Sequence, residues 1–144
     1  MFQIYMDSLR KFSEDYYGSA SRYTFRNPEV EEKITEFRED FYGVSGNRRT
    51  FVDALVSRDL GIEVAPKGAL PGDLVQFWRN SGSGHAVVFL GWVSDDDGKP
   101  ITILYWSVQS QTGISRNSES IGMSRHEVDP DGIYVVRAFA PLIK

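Results

Sequence analysis

The chain has no cysteine. That excludes disulfides, thiolate metal sites and a cysteine nucleophile from the sequence as it stands. Basic blocks are missing too. Sixteen Lys and Arg against 20 Asp and Glu give a net charge of −4, which argues against a nucleic-acid surface. No apolar run approaches the ~20 residues that a membrane-spanning helix needs. Histidine is scarce, with two in all. No internal repeat or low-complexity tract interrupts the chain. What remains is a globular composition, 144 residues with 41% hydrophobic and 13% aromatic side chains. That suits one domain, residues 1–144, with a core of its own.

The first 60 residues read as helical. Phe2, Tyr5, Leu9, Phe12 and Tyr16 fall three and four apart, an apolar stripe along one helix that Gly18 stops. Asn27-Pro28-Glu29 starts a second helix with a capping side chain, a proline in the first turn and an acid beside it. Val30, Ile34, Phe37 and Phe41 continue at helical spacing, Gly43 ends the run, and Glu31, Glu32, Lys33 and Glu39 form a solvated face. Ser45 can cap a third helix reaching Asp59, with Phe51, Val52, Leu55 and Val56 buried. A serine before a helix is usually a cap and nothing more.

Residues 61–144 read as an antiparallel sheet. Leu60 to Val64 is extended. Pro71-Gly72-Asp73 is a turn that launches a strand from Leu74 to Trp78. After the loop Asn80-Ser81-Gly82-Ser83-Gly84 comes His85 to Val93, apolar on both faces, for which cover on both sides is expected. An imidazole at the head of a core strand, beside small residues, is a candidate general base; the plainer expectation is a half-exposed histidine at a strand end. Asp95-Asp96-Asp97-Gly98 reads as a solvated hairpin turn, since it lacks the spacing and distal glutamate of a calcium loop. The strand from Ile101 turns polar after Tyr105. By the two-residue period Tyr105, Ser107 and Gln109 share a face. Buried hydroxyls and amides need partners, and orienting a neighbouring imidazole is one use for them. Arg116 to Asp131 reads as a loop carrying His126 at the surface, and Ile133 to Phe139 as the closing strand. The fold class is therefore α+β, with N-terminal helices packed on an antiparallel sheet.

Two stretches carry a resemblance. Leu70-Pro71-Gly72-Asp73-Leu74-Val75-Gln76-Phe77 and Gly84-His85-Ala86-Val87-Val88-Phe89-Leu90-Gly91, in that order and spacing and followed by Tyr105-Trp106-Ser107-Val108-Gln109, resemble the NlpC/P60 and CHAP group of papain-like amidases and peptidases. The likeness covers roughly residues 40–140. It implies a papain-like fold, an acyl-transfer hydrolase of peptidoglycan-type amide bonds, and a peptide or peptidoglycan fragment as partner, with no cofactor, metal or nucleic acid. It also implies a bacterial protein, cytoplasmic or exported without a visible signal peptide, since Met1 to Asp7 has neither a basic start nor a long apolar core. His85 would be the base and Gln109 or Ser107 its orienting partner. The nucleophile position matches Ser45, with Val44 the near alternative, and Trp78, Trp106 and Tyr105 could wall the groove. Ordinary core packing is the competing role for those aromatics. The departure is the missing thiol. Ser45 then stands for an engineered replacement of cysteine, for a pseudoenzyme that keeps the groove without the chemistry, or for a true serine nucleophile, which needs a stronger base. The rival class is a binding module that holds a peptide or wall fragment, or a protein partner, without cutting it. An unrelated α+β domain with a coincidental glycine-histidine strand is the third possibility.

Overall fold

In the computed structural model, residues 1–20, 28–42, 47–109 and 113–138 are described, without the side chains of residues 28–30 and 109. Three helices come first: α1 (Phe2–Tyr17), α2 (Pro28–Tyr42) and α3 (Thr50–Val56). Six strands follow: β1 (Gly61–Val64), β2 (Leu74–Arg79), β3 (Gly84–Ser94), β4 (Pro100–Gln109), β5 (Gly113–Ser120) and β6 (Val128–Ala138). They form one sheet in the order β1-β6-β2-β3-β4-β5, with every strand pair antiparallel. The α+β class read from the sequence is what is seen.

The sheet buries a different core on each face. All three helices cover one face, where Phe2, Tyr5, Met6, Leu9, Ile34, Phe37, Phe41, Phe51, Val52 and Leu55 meet Leu74 and Val136. The aromatics there pack edge to face, Phe41 on Phe51 at 4.5 Å and Phe2 on Phe37 at 5.3 Å. No described helix contributes to the other core, built from Val75, Phe77, Val87, Phe89, Ile103, Tyr105, Val128, Ile133 and Val135. The sheet covers that face by curling. After β5 the chain bridges back to β6 through Ile121↔Val128, and Arg79 of β2 reaches across to Glu119 of β5. The segment before β2 closes the rest, with the Trp92 indole N–H donating to the Pro66 carbonyl at 3.2 Å.

The Pro71-Gly72-Asp73 turn is a clamp as well as a launch. Gly72 has φ 97°, a left-handed conformation that suits glycine. Asp73 is buried and accepts two bonds from Arg137, at 2.9 and 2.8 Å, and one from the Leu70 N–H at 2.8 Å. The turn thereby ties β2 to β6 by side chains as well as by the ladder.

Several expectations are corrected. The α1 stripe turns toward Met6 and Ser13, leaving Tyr16 73% exposed and stacked on Phe12. α3 begins at Thr50 with Arg49 at its N-cap position and no capping side chain, four residues later than the expected cap position; the helix ends at Val56, itself exposed, rather than Asp59. Ser45, Val44, Gly43 and Asn27 lie outside the described residues. The stretch expected as a loop from Arg116 to Asp131 contains most of β5, which begins at Gly113, and the start of β6. Its pattern hides a strand because the inward residues Ser115, Asn117 and Glu119 are polar. Their bonds are made inside: Asn117 donates to Ser107 and Ser115, and Glu119 accepts from Tyr105 and Arg79. Cover on β3 is uneven, with Val87 and Phe89 buried and Ala86, Val88 and Leu90 half-buried.

Candidate functional site

The β2–β3 register decides where the imidazole stands. Gln76 pairs with Ala86 and Phe77 with His85. Paired residues in an antiparallel ladder share a face and neighbours along a strand alternate. Gln76 points to the helices, where its side-chain oxygen accepts from the Phe51 N–H of α3 at 3.4 Å. Phe77 and His85 therefore point the other way, into the curled face. There the imidazole packs edge-on between Phe77 and Tyr105, 5.9 Å from each ring centre.

The surroundings of His85 are apolar on both flanks and ionic at one end. Its Nε2 is buried and has no hydrogen-bond partner among the described residues. Burial lowers its pKa below the ordinary 6.5, the Arg79 guanidinium lowers it further, and the Glu119 carboxylate opposes both. Arg79 holds Glu119 with two bonds at 2.6 and 2.5 Å and donates to Ser83 at 3.1 Å. The Tyr105 hydroxyl donates to Glu119 at 2.7 Å, and burial followed by that bond raises its pKa. The phenol therefore stays protonated throughout the neutral range. Sequence reasoning passed over Arg79 and Glu119; the one signal is a lone acid in a serine-rich strand.

The other residues singled out divide between the faces. Ser107, 1% exposed, shares the His85 face but accepts from Asn117 at 3.2 Å. Gln109 ends β4 and its side chain is not described, and Ser45 lies outside the described residues. Tyr105 is a core residue of the curled face. Trp78 lies on the helix face, flat over Gly84, where a Cβ would sit 3.0 Å from its ring. Its indole N–H donates to the Arg48 carbonyl at 2.9 Å and the Arg48 guanidinium stands over its ring. Of the three aromatics Trp106 alone is open, 41% exposed on the helix face of β4, beyond the cover of the helices. Val108 and Ile114, 47% and 66% exposed, extend that apolar surface onto β5.

Two grooves lie elsewhere. One of about 380 Å³ runs between α1 and the sheet, lined by Tyr5, Leu9, Phe12, Leu74, Val88 and Ala138. Another of about 430 Å³ lies between α2 and α3, lined in part by Asp40, Asn47, Thr50, Asp53 and Arg58. Neither includes a residue named above as catalytic or substrate-binding. Among the described residues no group of three or more His, Asp or Glu could hold a metal, and no helix is long and apolar enough to cross a membrane. Compared with protein families, with curated proteins and with solved structures, the chain matches none.

Proposed function

We propose that this chain is a recognition module on a papain-like plan, which holds a peptide or a peptidoglycan-type fragment on the Trp106 surface without cutting it. The observation that carries this is the β2–β3 register. The imidazole of His85 faces the curled core, whereas the head of α3 meets the sheet on the opposite face, at Gln76. A nucleophile delivered at a helix head needs its base within hydrogen-bond reach on the same face. The missing thiol points the same way, and an exposed tryptophan flanked by aliphatic side chains is the kind of anchor that dominates recognition surfaces.

An acyl-transfer hydrolase acting through Ser45 is the alternative. One observation favours it: the Nε2 of His85, buried and without a partner among the described residues, on an imidazole held neutral has the character of a base.

A Ser45→Cys variant separates the two when assayed beside the parent on peptidoglycan and its peptide fragments. The expected outcome is no cleavage by either protein, with fragment binding by the parent that Trp106→Ala weakens about tenfold or more, the scale of an aromatic anchor. Cleavage gained by Ser45→Cys and abolished by adding His85→Ala would overturn the proposal in favour of the hydrolase.

A further inference from the structure

The two edges of the sheet are unlike each other. β1 is four residues long, and its Glu63 is held by Arg49 through two bonds at 2.7 Å. β5 is eight residues long and pairs with β4 without a register shift from Thr102↔Ser120 to Gln109↔Gly113. Past the closure at Ile121, the outer edge of β5 has no backbone partner among the described residues. Proteins blunt such edges with proline, lysine, bulges or shortness. β5 has no proline, no lysine and no bulge, and its one inward charge, Glu119, is already paired with Arg79.

The outward face beside this edge has a definite chemistry. Arg116 pairs directly across from Trp106, and Ile114 from Val108. Arg116 is exposed and makes no ion pair or hydrogen bond among the described residues. A cation beside an indole, one strand step from two exposed aliphatic side chains, complements an extended chain that alternates apolar and carboxylate side chains. The neighbouring backbone edge supplies the hydrogen bonds that strand addition uses. In a chain of net charge −4 this local cation gives the surface a sign opposite to the molecule as a whole.

We infer that β5 takes an acidic, extended peptide as a seventh strand, with a carboxylate of the peptide set against Arg116 and an apolar residue two positions away set against Ile114. This rests on the recognition function proposed above and specifies its ligand and mode of binding.

The probe is the peptide acetyl-Thr-Val-Thr-Glu-Thr-Val-Thr-amide, whose side chains present Val, Glu and Val on one face in either strand direction. Binding to the full chain is followed by backbone amide shifts and by calorimetry. The expected result is shifts confined to residues 113–120 and the Trp106 indole. Arg116→Glu should weaken binding at least tenfold and confer binding of the same peptide with Lys in place of Glu. Methylating the peptide's alternate amides, in either register, should abolish binding to the parent in one of the two. Loss of binding in Arg116→Glu counts only with an unfolding midpoint equal to the parent's, and Arg116→Gln, expected to fall between the two, supplies a second variant. Strand addition is overturned by no binding to the parent, by binding indifferent to charge reversal and methylation, or by concentration-dependent β5 shifts without peptide, which would make a second copy the occupant. Should wall fragments still bind through Trp106 while the peptide fails these tests, only strand addition falls. Cleavage by Ser45→Cys would remove the recognition function itself.

Discussion

His85 is half-buried between Phe77 and Tyr105, and its environment makes a pH prediction. Burial and Arg79 hold its pKa below the ordinary 6.5 in the folded chain. Well above that value the imidazole is neutral in both folded and unfolded states, and its contribution to stability is fully present. As pH falls through the unfolded value of roughly 6.5, the unfolded chain takes up a proton that the folded chain refuses. Stability then falls until the pH passes the lowered folded value. The groups facing His85 are Arg79 on β2, Tyr105 on β4 and Glu119 on β5, with the amino terminus also acting on it. Urea unfolding of the parent should lose stability between pH 7 and 5, and His85→Gln should lack that part of the loss. An identical decline in the variant would show that the imidazole is not held neutral by its site.

At the scale of elements, the launch of β2 depends on a carboxylate. Asp73 is buried, and Arg137, partly open to solvent, is its cation. Asp73→Asn keeps the shape and removes the charge. It should cost about 2–3 kcal/mol in urea unfolding, below the usual loss for a broken buried pair because Arg137 can be rehydrated. A cost shared almost wholly with Arg137→Gln in a double-mutant cycle is the expected signature; additive costs would deny the clamp. Elements were legible in the sequence where they bury apolar residues against a neighbour. α1 and α2 announced themselves by spacing, and β2, β3 and β4 by apolar runs between turns. β5 was illegible because its inner face is Ser115, Asn117 and Glu119, satisfied by partners that the fold alone brings near. The start of α3 was misread because the cap came from local chemistry at Ser45, whereas packing of Phe51 under Phe41 and against Gln76 sets where the helix begins. His85 was legible as a strand-head histidine. Its side of the sheet was not, because facing depends on the pairing across the hairpin and not on the residues around it.

The molecule as a whole is one sheet with two cores, and the Arg79–Glu119 pair spans the curled one. Both side chains are largely buried, and Tyr105 shares the carboxylate. Glu119→Ala strands a guanidinium and a phenol and should cost about 1–3 kcal/mol. Its local signature is faster hydrogen exchange in β5 than in β2 and β3, since β5 is held by β4 and this pair while the central strands are held on both sides. Uniform acceleration across all strands would mean that the curl opens only when the whole domain unfolds.

The hairpin between β2 and β3 carries a further consequence. Its turn, Asn80 to Ser83, closes with the Arg79 N–H bonded to the Ser83 carbonyl at 2.9 Å and with Gly82 at φ 88°. Facing along β3 is a matter of parity. One residue gained or lost in that turn, with the ladder slipping to follow, would carry His85 to the helix side and take Val87 and Phe89 out of the curled core with it. Insertions and deletions here are therefore not the harmless length changes that surface turns ordinarily absorb. Such a slip would exchange the buried layers of both faces at the same step, so the length of this turn is fixed by the two cores together and not by the turn itself.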